Sequence, residues 1–357
     1  EAVGKKILIS GGGRCNFTNL HAGPDRYLSA NRHFAISALR RYTARDFLAL
    51  VERHRIPWHE KKLGQLFCDV SARDIVRLLL DECERGGVAI RTGCGVGEIG
   101  HDGAAFTVET AHGPVRAARL VMASGGLSIP KMGATGLAYR VAERFGLKIV
   151  PTRPALVPFT FAPEVLGQFK DLTGIAIDGV ARCGKAAFRE SLLLTHRGVS
   201  GPSILQVSSY WREGEAVEID LLPDLDVGAH LKGLKRSRPR AETKTVLAEL
   251  LPRRFVERLV ELGLPSRPLA DAPDRELLAV AEALKRWTFV PNGTEGYRTA
   301  EVTLGGVDTA GLSSQTLEAK AVPGLHFIGE AVDVTGHLGG FNFQWAWSSG
   351  WCAGMAV

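Results

Sequence analysis

At 357 residues, 45% of them apolar and 23% charged, the chain exceeds the roughly 250 to 300 residues at which a single core stops growing, so two lobes are expected. It has no low-complexity tract, no apolar run near the ~18 residues that span a bilayer and no basic-plus-apolar leader; disordered, fibrous and helix-spanning membrane classes are excluded, and a soluble cytoplasmic protein is expected. The net charge of +6 and pI near 9.1 permit an anionic partner, nucleic acid or a phosphorylated cofactor, without requiring one.

The chain opens at Glu1 without a methionine, reaches a strand-like run, "KKILIS", within six residues, and stops at Val357 after a helix-like segment. A fragment cut at both ends is the expectation. Residues 33–53 carry Phe34, Leu39, Tyr42, Phe47 and Val51 at mostly helical spacing, predicting one or two helices. Ser71 with Asp74 reads as a capping box, Ile75, Leu78, Leu79 and Cys83 as the apolar stripe of the helix that follows, and Gly86-Gly87 as its stop. Strand-like runs follow at Val88–Arg91, Ala105–Thr110 and Val115–Ala123, with a hairpin over Gly113-Pro114. Next comes a helix at Thr135–Phe145 that closes at Gly146.

After Pro151 and Pro154 the pattern changes. "LVPFTF", "GIAIDGVARC", "AFRESLLLTH" and "AVEIDLL" are β-type runs, and from Val227 to about Trp287 the chain reads helical. Residues 155–290 are therefore expected to form an inserted domain. "VTLGGV" (302–307) and "GLHFIGEAVDV" (324–334) then resume the buried-strand pattern of the first.

Two glycine clusters carry the chemistry. "ISGGGRCNFTN" matches a dinucleotide fingerprint at Gly11 and Gly13, but the third glycine is replaced by Asn16 and no apolar helical stripe follows. A glycine turn bridging two elements is the competing reading, and a Walker loop is excluded. What the stretch offers is backbone N–H groups beside Arg14 and Asn16, donors suited to a pyrophosphate or the polar edge of a ring. The second cluster, "FIGEAVDVTGHLGGFNFQWAWSSGWCAG", ends a strand at Gly329, Glu330 and Asp333, then opens a helix at Gly339-Gly340. Its N-terminus favours negative charge by about 0.3 to 1 kcal/mol, enough to tune a redox centre and too little to create one. Cys15, Cys68, Cys83, Cys94, Cys183 and Cys352 show no metal-ligand spacing, so free thiols and no metal are expected.

Together "GKKILISGGGRCNFTN", "ASGG" (123–126), "PALVPF", "LLLTHRGVSGPSILQVSS", "VTLGGV" and "GLHFIGEAVDVTGHLGGFNFQWAWSSG" resemble the BaiN/RdsA-type NAD(P)/FAD-dependent flavoproteins, also labelled aminoacetone-oxidase-family FAD-binding enzymes. The resemblance spans nearly the whole chain. It implies an α/β fold: a two-dinucleotide-binding-type FAD domain with a mostly parallel sheet (1–154 and 291–357), interrupted by a β-rich and helical insert. It also implies a pyrophosphate turn and a ribose-binding acid upstream of Gly4, so the N-terminal strand is expected to be missing. Carried over residue by residue, Gly11, Gly12, Gly13, Arg14 and Asn16 would face FAD, with Ser124, Gly125 and Gly126 at a second crossing. Gly329, Glu330 and Asp333 would meet the ribityl-phosphate side, and Gly340, Phe341 and Asn342 the pyrimidine edge. For each, a packing glycine or capping polar group is the alternative.

The activity this implies is hydride transfer from NAD(P)H through FAD to an activated C=C bond of a small molecule, with a side-chain acid protonating the neighbouring carbon. Cys15 beside Arg14 and His196 in "THRGVSGP" are the candidate acids, against a buried thiol and a loop-organising histidine. An alternative makes ribosomal RNA the substrate, its uridine reduced to dihydrouridine. Lys232, Lys235, Arg236, Arg238, Arg240, Lys244, Arg253 and Arg254 would then contact phosphates, where a solvated helix face is the usual meaning of such a run. A third reading is a non-catalytic remnant or binding module.

Overall fold

A computed structural model describes residues 3–357, which separate into two compact units, one of residues 3–153 with 302–357 and one of residues 154–301. In the first unit the chain enters as helix α1 (Lys5–Ile9), where a strand is expected from the sequence. Five residues are too few to separate a period of 2 from one of 3.6. The helical form buries Ile7 and lets Ser10 close the turn, its hydroxyl donating to the Ile7 carbonyl at 2.7 Å. After a 3-10 turn at Ser10–Gly13 come β1 (Asn16–Asn19) and β2 (Tyr27–Leu28).

The helical stretch at 33–53 resolves into α2 (Ile36–Arg41) and α3 (Ala44–Arg53). They part at Thr43, which forms a full capping box with Asp46. A hairpin, β3 (Trp58–Glu60) and β4 (Gln65–Cys68), pairs antiparallel with β1 through β4. Helix α4 (Arg73–Arg85) starts at Ala72. The Ser71 hydroxyl accepts from the N–H of Arg73 and the Ser71 carbonyl from that of Asp74, so the expected capping box with Asp74 is a tighter serine turn. Val88–Arg91 is no strand: Val88 and Ile90 stay exposed, with no face to bury them.

β5 (Val96–His101), β6 (Phe106–Thr110) and β7 (Val115–Ala117) form an antiparallel sheet, the last two as the expected hairpin. Then follow β8 (Leu120–Met122), α5 (Leu137–Arg144) and β9 (Ile149–Ala155).

The second unit is built on a seven-stranded antiparallel sheet. It runs through β10 (Phe159–Thr160), α6 (Pro163–Phe169), β11 (Ala176–Cys183), β12 (Ala186–Leu194), β13 (Gly198–Ser200), α7 (Pro202–Ser208) and β14 (Val217–Asp220). Helices α8 (Val227–Ser237), α9 (Thr243–Leu247), α10 (Arg253–Glu261) and α11 (Asp274–Lys285) follow, then β15 (Trp287–Phe289) and β16 (Gly293–Thr294). One core joins both layers, with Phe159, Val217 and Ile219 of the sheet and Leu231, Phe255 and Leu284 of the helices all buried.

The first unit resumes with β17 (Val302–Val307), β18 (Leu325–Phe327), β19 (Thr335–Gly336) and α12 (Phe341–Gly354). β18 lies parallel to β8, and Val307 bridges Val332 in parallel. The β1–β4–β3 and β5–β6–β7 sheets and the β2–β19 pair are antiparallel. The mostly parallel sheet that the resemblance implies is therefore not what these strands form: β3–β4, β5–β6 and β6–β7 are joined by short links, which pair neighbours antiparallel, whereas parallel pairing needs a long crossover.

Candidate cofactor and active site

The first glycine turn is pinned from behind. The Gly13 carbonyl accepts from Ala72 N–H at 2.7 Å and the Arg14 carbonyl from Cys68 N–H at 3.0 Å, so the turn hangs between β4 and the start of α4. Gly11 and Gly12 take left-handed conformations and are exposed, as is Arg14. A Cβ built on Gly12 or Gly13 would meet nothing within 4 Å, so this backbone fronts open space.

A second such surface stands at the carboxyl ends of the parallel pair. β8 runs out into Ser124, Gly125 and Gly126, and β18 into Gly329. Ser124 is exposed, and a Cβ on Gly125 would likewise meet nothing. Strand ends carrying glycine turns are where ligands bind in open α/β sheets. Behind them Glu330 works as a hub: it accepts from Lys6 Nζ at 2.7 Å, Ser128 Oγ at 2.8 Å and Thr303 N–H at 2.9 Å. Its carboxylate ties α1, the 124–128 turn and β17 together.

Asp333, buried, accepts from the Ala30 N–H at 2.8 Å and the Ser29 hydroxyl at 3.4 Å. Burial pushes its carboxyl above the usual range. The Asn342 amide accepts from Gly336 N–H at 2.8 Å and donates to the carbonyls of Gly336 and His337 at 2.9 and 3.2 Å, closing the 336–342 loop on itself. Phe341 is buried edge-on against Tyr27, whose hydroxyl donates to the Phe341 carbonyl at 2.9 Å.

These two sequence-distant clusters meet. In the orientation that satisfies both ends of its amide, Asn16 donates to the Thr18 and Leu66 carbonyls at 3.1 and 3.2 Å and accepts from Gly340 N–H at 3.3 Å. Asn19 donates to the Gly339 carbonyl at 2.8 Å, Thr18 to the buried Gln344 amide at 2.5 Å, and Trp347 to the Phe17 carbonyl at 2.8 Å. Gln344 also donates to Tyr42 and Ser348, anchoring α12 to the end of α2. Lys6, Ser128, Thr303, Asn19 and Gln344 escape sequence reasoning because each acts on backbone or side chains far away in the chain; "KKIL" followed by "GGG" was the available signal for Lys6.

The candidate acids fare differently. Cys15 is fully buried, and burial drives its thiol up to about 12, offset only in part by the Ser10 hydroxyl. Its surroundings are those of the buried thiol that competes with the reading as an acid, since burial disfavours the charged form. His196 belongs to the second unit, exposed in the turn between β12 and β13, where Thr195 Oγ1 accepts from the N–H groups of Arg197 and Gly198. The turn is thus organised by Thr195. His337, which the sequence does not single out, is buried; desolvation and Arg26 bring it down to about 4.

The basic run of the second unit is mostly neutralised at home. Lys232 and Lys235 reach Asp274 at 3.7 and 3.2 Å, Arg238 pairs with Glu249 at 2.8 Å, Lys244 with Glu242 at 3.0 Å and Arg253 with Glu257 at 2.8 Å. Arg254 donates to the Asp171 carbonyl, while Arg236 and Arg240 are exposed. Glu242 and Glu249 stand within the basic stretch itself, and helix packing adds Asp274 from α11.

Compared with known proteins, residues 1–356 match the HI0933-like protein Rossmann domain. The chain belongs to the HI0933-like Rossmann family. Two relatives are each named ribosomal RNA dihydrouridine synthase: one from Escherichia coli (strain K12), 53% identical over 98% of this chain and 88% of its own, and one from Haemophilus influenzae, 46% identical over 100% and 90%. A third, the 3-dehydro-bile acid delta(4,6)-reductase of Clostridium scindens, is 28% identical over 100% of this chain and 90% of its own.

These relatives of the HI0933-like chain are oxidoreductase-type enzymes, and the expectation of an enzyme stands at that level. The expectation of a small-molecule C=C substrate does not: the two relatives at 46% and 53% carry an RNA-modifying name, and the small-molecule reductase is far more distant. That expectation followed from the family alone, which holds both kinds of enzyme. Among the described residues no helix is long and apolar enough to cross a membrane, and no cluster of His, Cys, Asp and Glu is arranged to hold a metal ion.

Proposed function

We propose that this chain reduces a uridine of ribosomal RNA to dihydrouridine, using FAD in its first unit and NADH or NADPH as electron donor. The observation that carries this reading is 53% identity over 98% of the chain to an enzyme of that name. The geometry fits the cofactor: Gly12, Gly13 and Gly125 expose backbone beside open space, and the first of these turns is tied through Asn16 to Gly340 at the start of α12. Gly11, Gly12, Gly13 and Arg14 would hold the diphosphate side with Ser124, Gly125 and Gly126. Asp333 and Gly329 would hold the ribityl side, and the main chain at Gly340–Asn342 the ring edge. Bound FAD supplies the two-electron chemistry.

The chain's own part is placement. Glu330, Asn16 and Asn342 fix the turns through hydrogen bonds to protein rather than facing outward, so the site's backbone is set before a ligand arrives. The first-turn N–H groups of α12 favour negative charge developing on a group seated at its end. A substrate uracil gains a hydride and a proton, two electrons and two protons in all, across its 5,6 double bond.

The test uses ribosomal RNA from a strain lacking the gene. Incubation with purified protein, FAD and NADH or NADPH should yield dihydrouridine by nucleoside mass spectrometry. A yellow, NAD(P)H-bleachable protein that leaves every uridine unchanged would refute the substrate. A protein that stays colourless after added FAD would refute the cofactor.

A further inference from the structure

The tip of the β3–β4 hairpin, Lys61–Gly64, holds Leu63 in the left-handed region at φ 54° with 61% of its surface exposed. Five other non-glycine residues take positive φ, and the apolar ones among them are mostly buried: Cys15, Leu156 and Leu317 lie in cores and Ile129 is half-buried. At those places packing compensates the unfavourable backbone. At Leu63 no packing does, so an exposed leucine is held in a conformation that glycine or asparagine would adopt at lower cost. Such residues persist where the surroundings over-determine them, and they cluster at functional sites.

The tip is rigidly held. Lys61 N–H donates to the Gln65 carbonyl at 3.0 Å, Gln65 N–H to the Lys62 carbonyl at 3.1 Å, and Leu20 N–H to the Gly64 carbonyl at 2.9 Å. Asn19 Nδ2 donates both to the Leu63 carbonyl at 3.1 Å and to the Gly339 carbonyl at 2.8 Å. One amide thus fastens the tip to the loop before α12. Lys61 and Lys62 immediately precede the leucine, both exposed, with Lys61 lying 5.3 Å over the Phe67 ring. Leu20 and His21 lie exposed on the adjoining turn, and the His21 ring abuts Gly64.

Resting on the proposed RNA substrate, we propose that Leu63 is a wedge: a positioning residue that enters the base stack and fills the gap left when the target uridine swings out toward the site, while Lys61 and Lys62 hold the flanking phosphates. An enzyme that does chemistry on a base must take it out of the stack, and exposed apolar side chains inserted between bases are a recurrent way of keeping it out. A rigid strained tip, two cations for phosphates and a direct tie to the ring-edge loop meet those requirements together.

The experiment measures dihydrouridine formation on folded ribosomal RNA from the gene-deleted strain, together with thermal unfolding of each variant. Leu63→Gly removes the wedge and the strain at once. Its kcat should fall about tenfold, one decade of barrier, with KM nearly unchanged, while its Tm rises by about 2 °C. Leu63→Met, apolar and of similar bulk, should keep the wild-type rate, and Leu63→Asp should lose it. A Leu63→Gly variant with wild-type kcat overturns the wedge, as does a loss confined to KM. A Tm several degrees below wild type would make Leu63 a structural residue and overturn it as well. A wild-type protein that forms no dihydrouridine refutes the substrate reading itself, a result separate from any of these.

Discussion

Replacing Gly340 by alanine tests whether the N-terminal turn and the start of α12 form one rigid site. Gly340 has φ 94°, and a Cβ there would sit 2.5 Å from the Thr18 carbonyl oxygen, 2.6 Å from its carbon and 2.8 Å from the Asn16 side-chain amide. Two of these three atoms are backbone, so they cannot rotate aside. Left-handed strain costs about 1 to 2 kcal/mol and overpacking about 1 to 3 kcal/mol, giving roughly 2 to 5 kcal/mol in all. Gly12 is the internal control: its φ is 68°, but its Cβ would meet nothing within 4 Å, leaving strain of about 1 to 2 kcal/mol alone. Both variants share the entropy an alanine removes from the unfolded chain, so the difference between them isolates the overpacking, about 1 to 3 kcal/mol. Urea unfolding of both variants without cofactor, followed by titration with FAD, measures each part. Gly340→Ala should unfold at clearly lower urea and bind FAD more weakly, because the loop must move off Asn16. Equal midpoints for the two variants would refute the packing, and unchanged FAD affinity in a destabilised Gly340→Ala would refute the site's placement there.

With its thiol at about 12, Cys15 should resist alkylation in the folded protein at pH 7 and Cys15→Ala should keep dihydrouridine formation; rapid modification located by peptide mass spectrometry would show the opposite. His337 is depressed to about 4 in the fold against 6.5 unfolded, so the unfolded chain takes up the proton first. Stability should therefore fall as pH drops from 6.5 toward 4, by up to about 3 kcal/mol, and His337→Gln should flatten that slope in denaturation midpoints taken across the range. Glu330→Ala strips the acceptor from the Thr303 N–H and the Ser128 hydroxyl. At about 1 to 3 kcal/mol for a buried donor left unmade, it should lower Tm by several degrees, with Glu330→Gln milder; no change would place those donors in water.

What the sequence conveyed depended on whether a signal was local. The hairpin over Gly113-Pro114 and the stop of α4 at Gly86 were readable because the residues that make them are adjacent. β5 was not: Gly97 and Gly100 interrupt its alternation and Ile99 is its one buried side chain. The Thr43–Asp46 capping box was equally local but lay inside a continuous apolar period, which hid the break between α2 and α3. Leu63 carried no warning at all, since "KKLG" reads as a turn and only the backbone angle shows the strain.

The same distinction separates the atoms of the site. Polar residues near the two glycine clusters drew attention as cofactor contacts, because side chains are what a sequence displays. Folded, Glu330, Asn16 and Asn342 spend their hydrogen bonds on Thr303, Gly340 and Gly336, none of which is a sequence neighbour of its partner. The groups left facing open space are the main-chain atoms of Gly12, Gly13 and Gly125, which a sequence shows only as missing side chains. A substitution series should divide along that line. Changes at the polar residues act first on stability and on the cofactor through it, whereas larger residues at the open glycines act on FAD binding with only the cost of their strain.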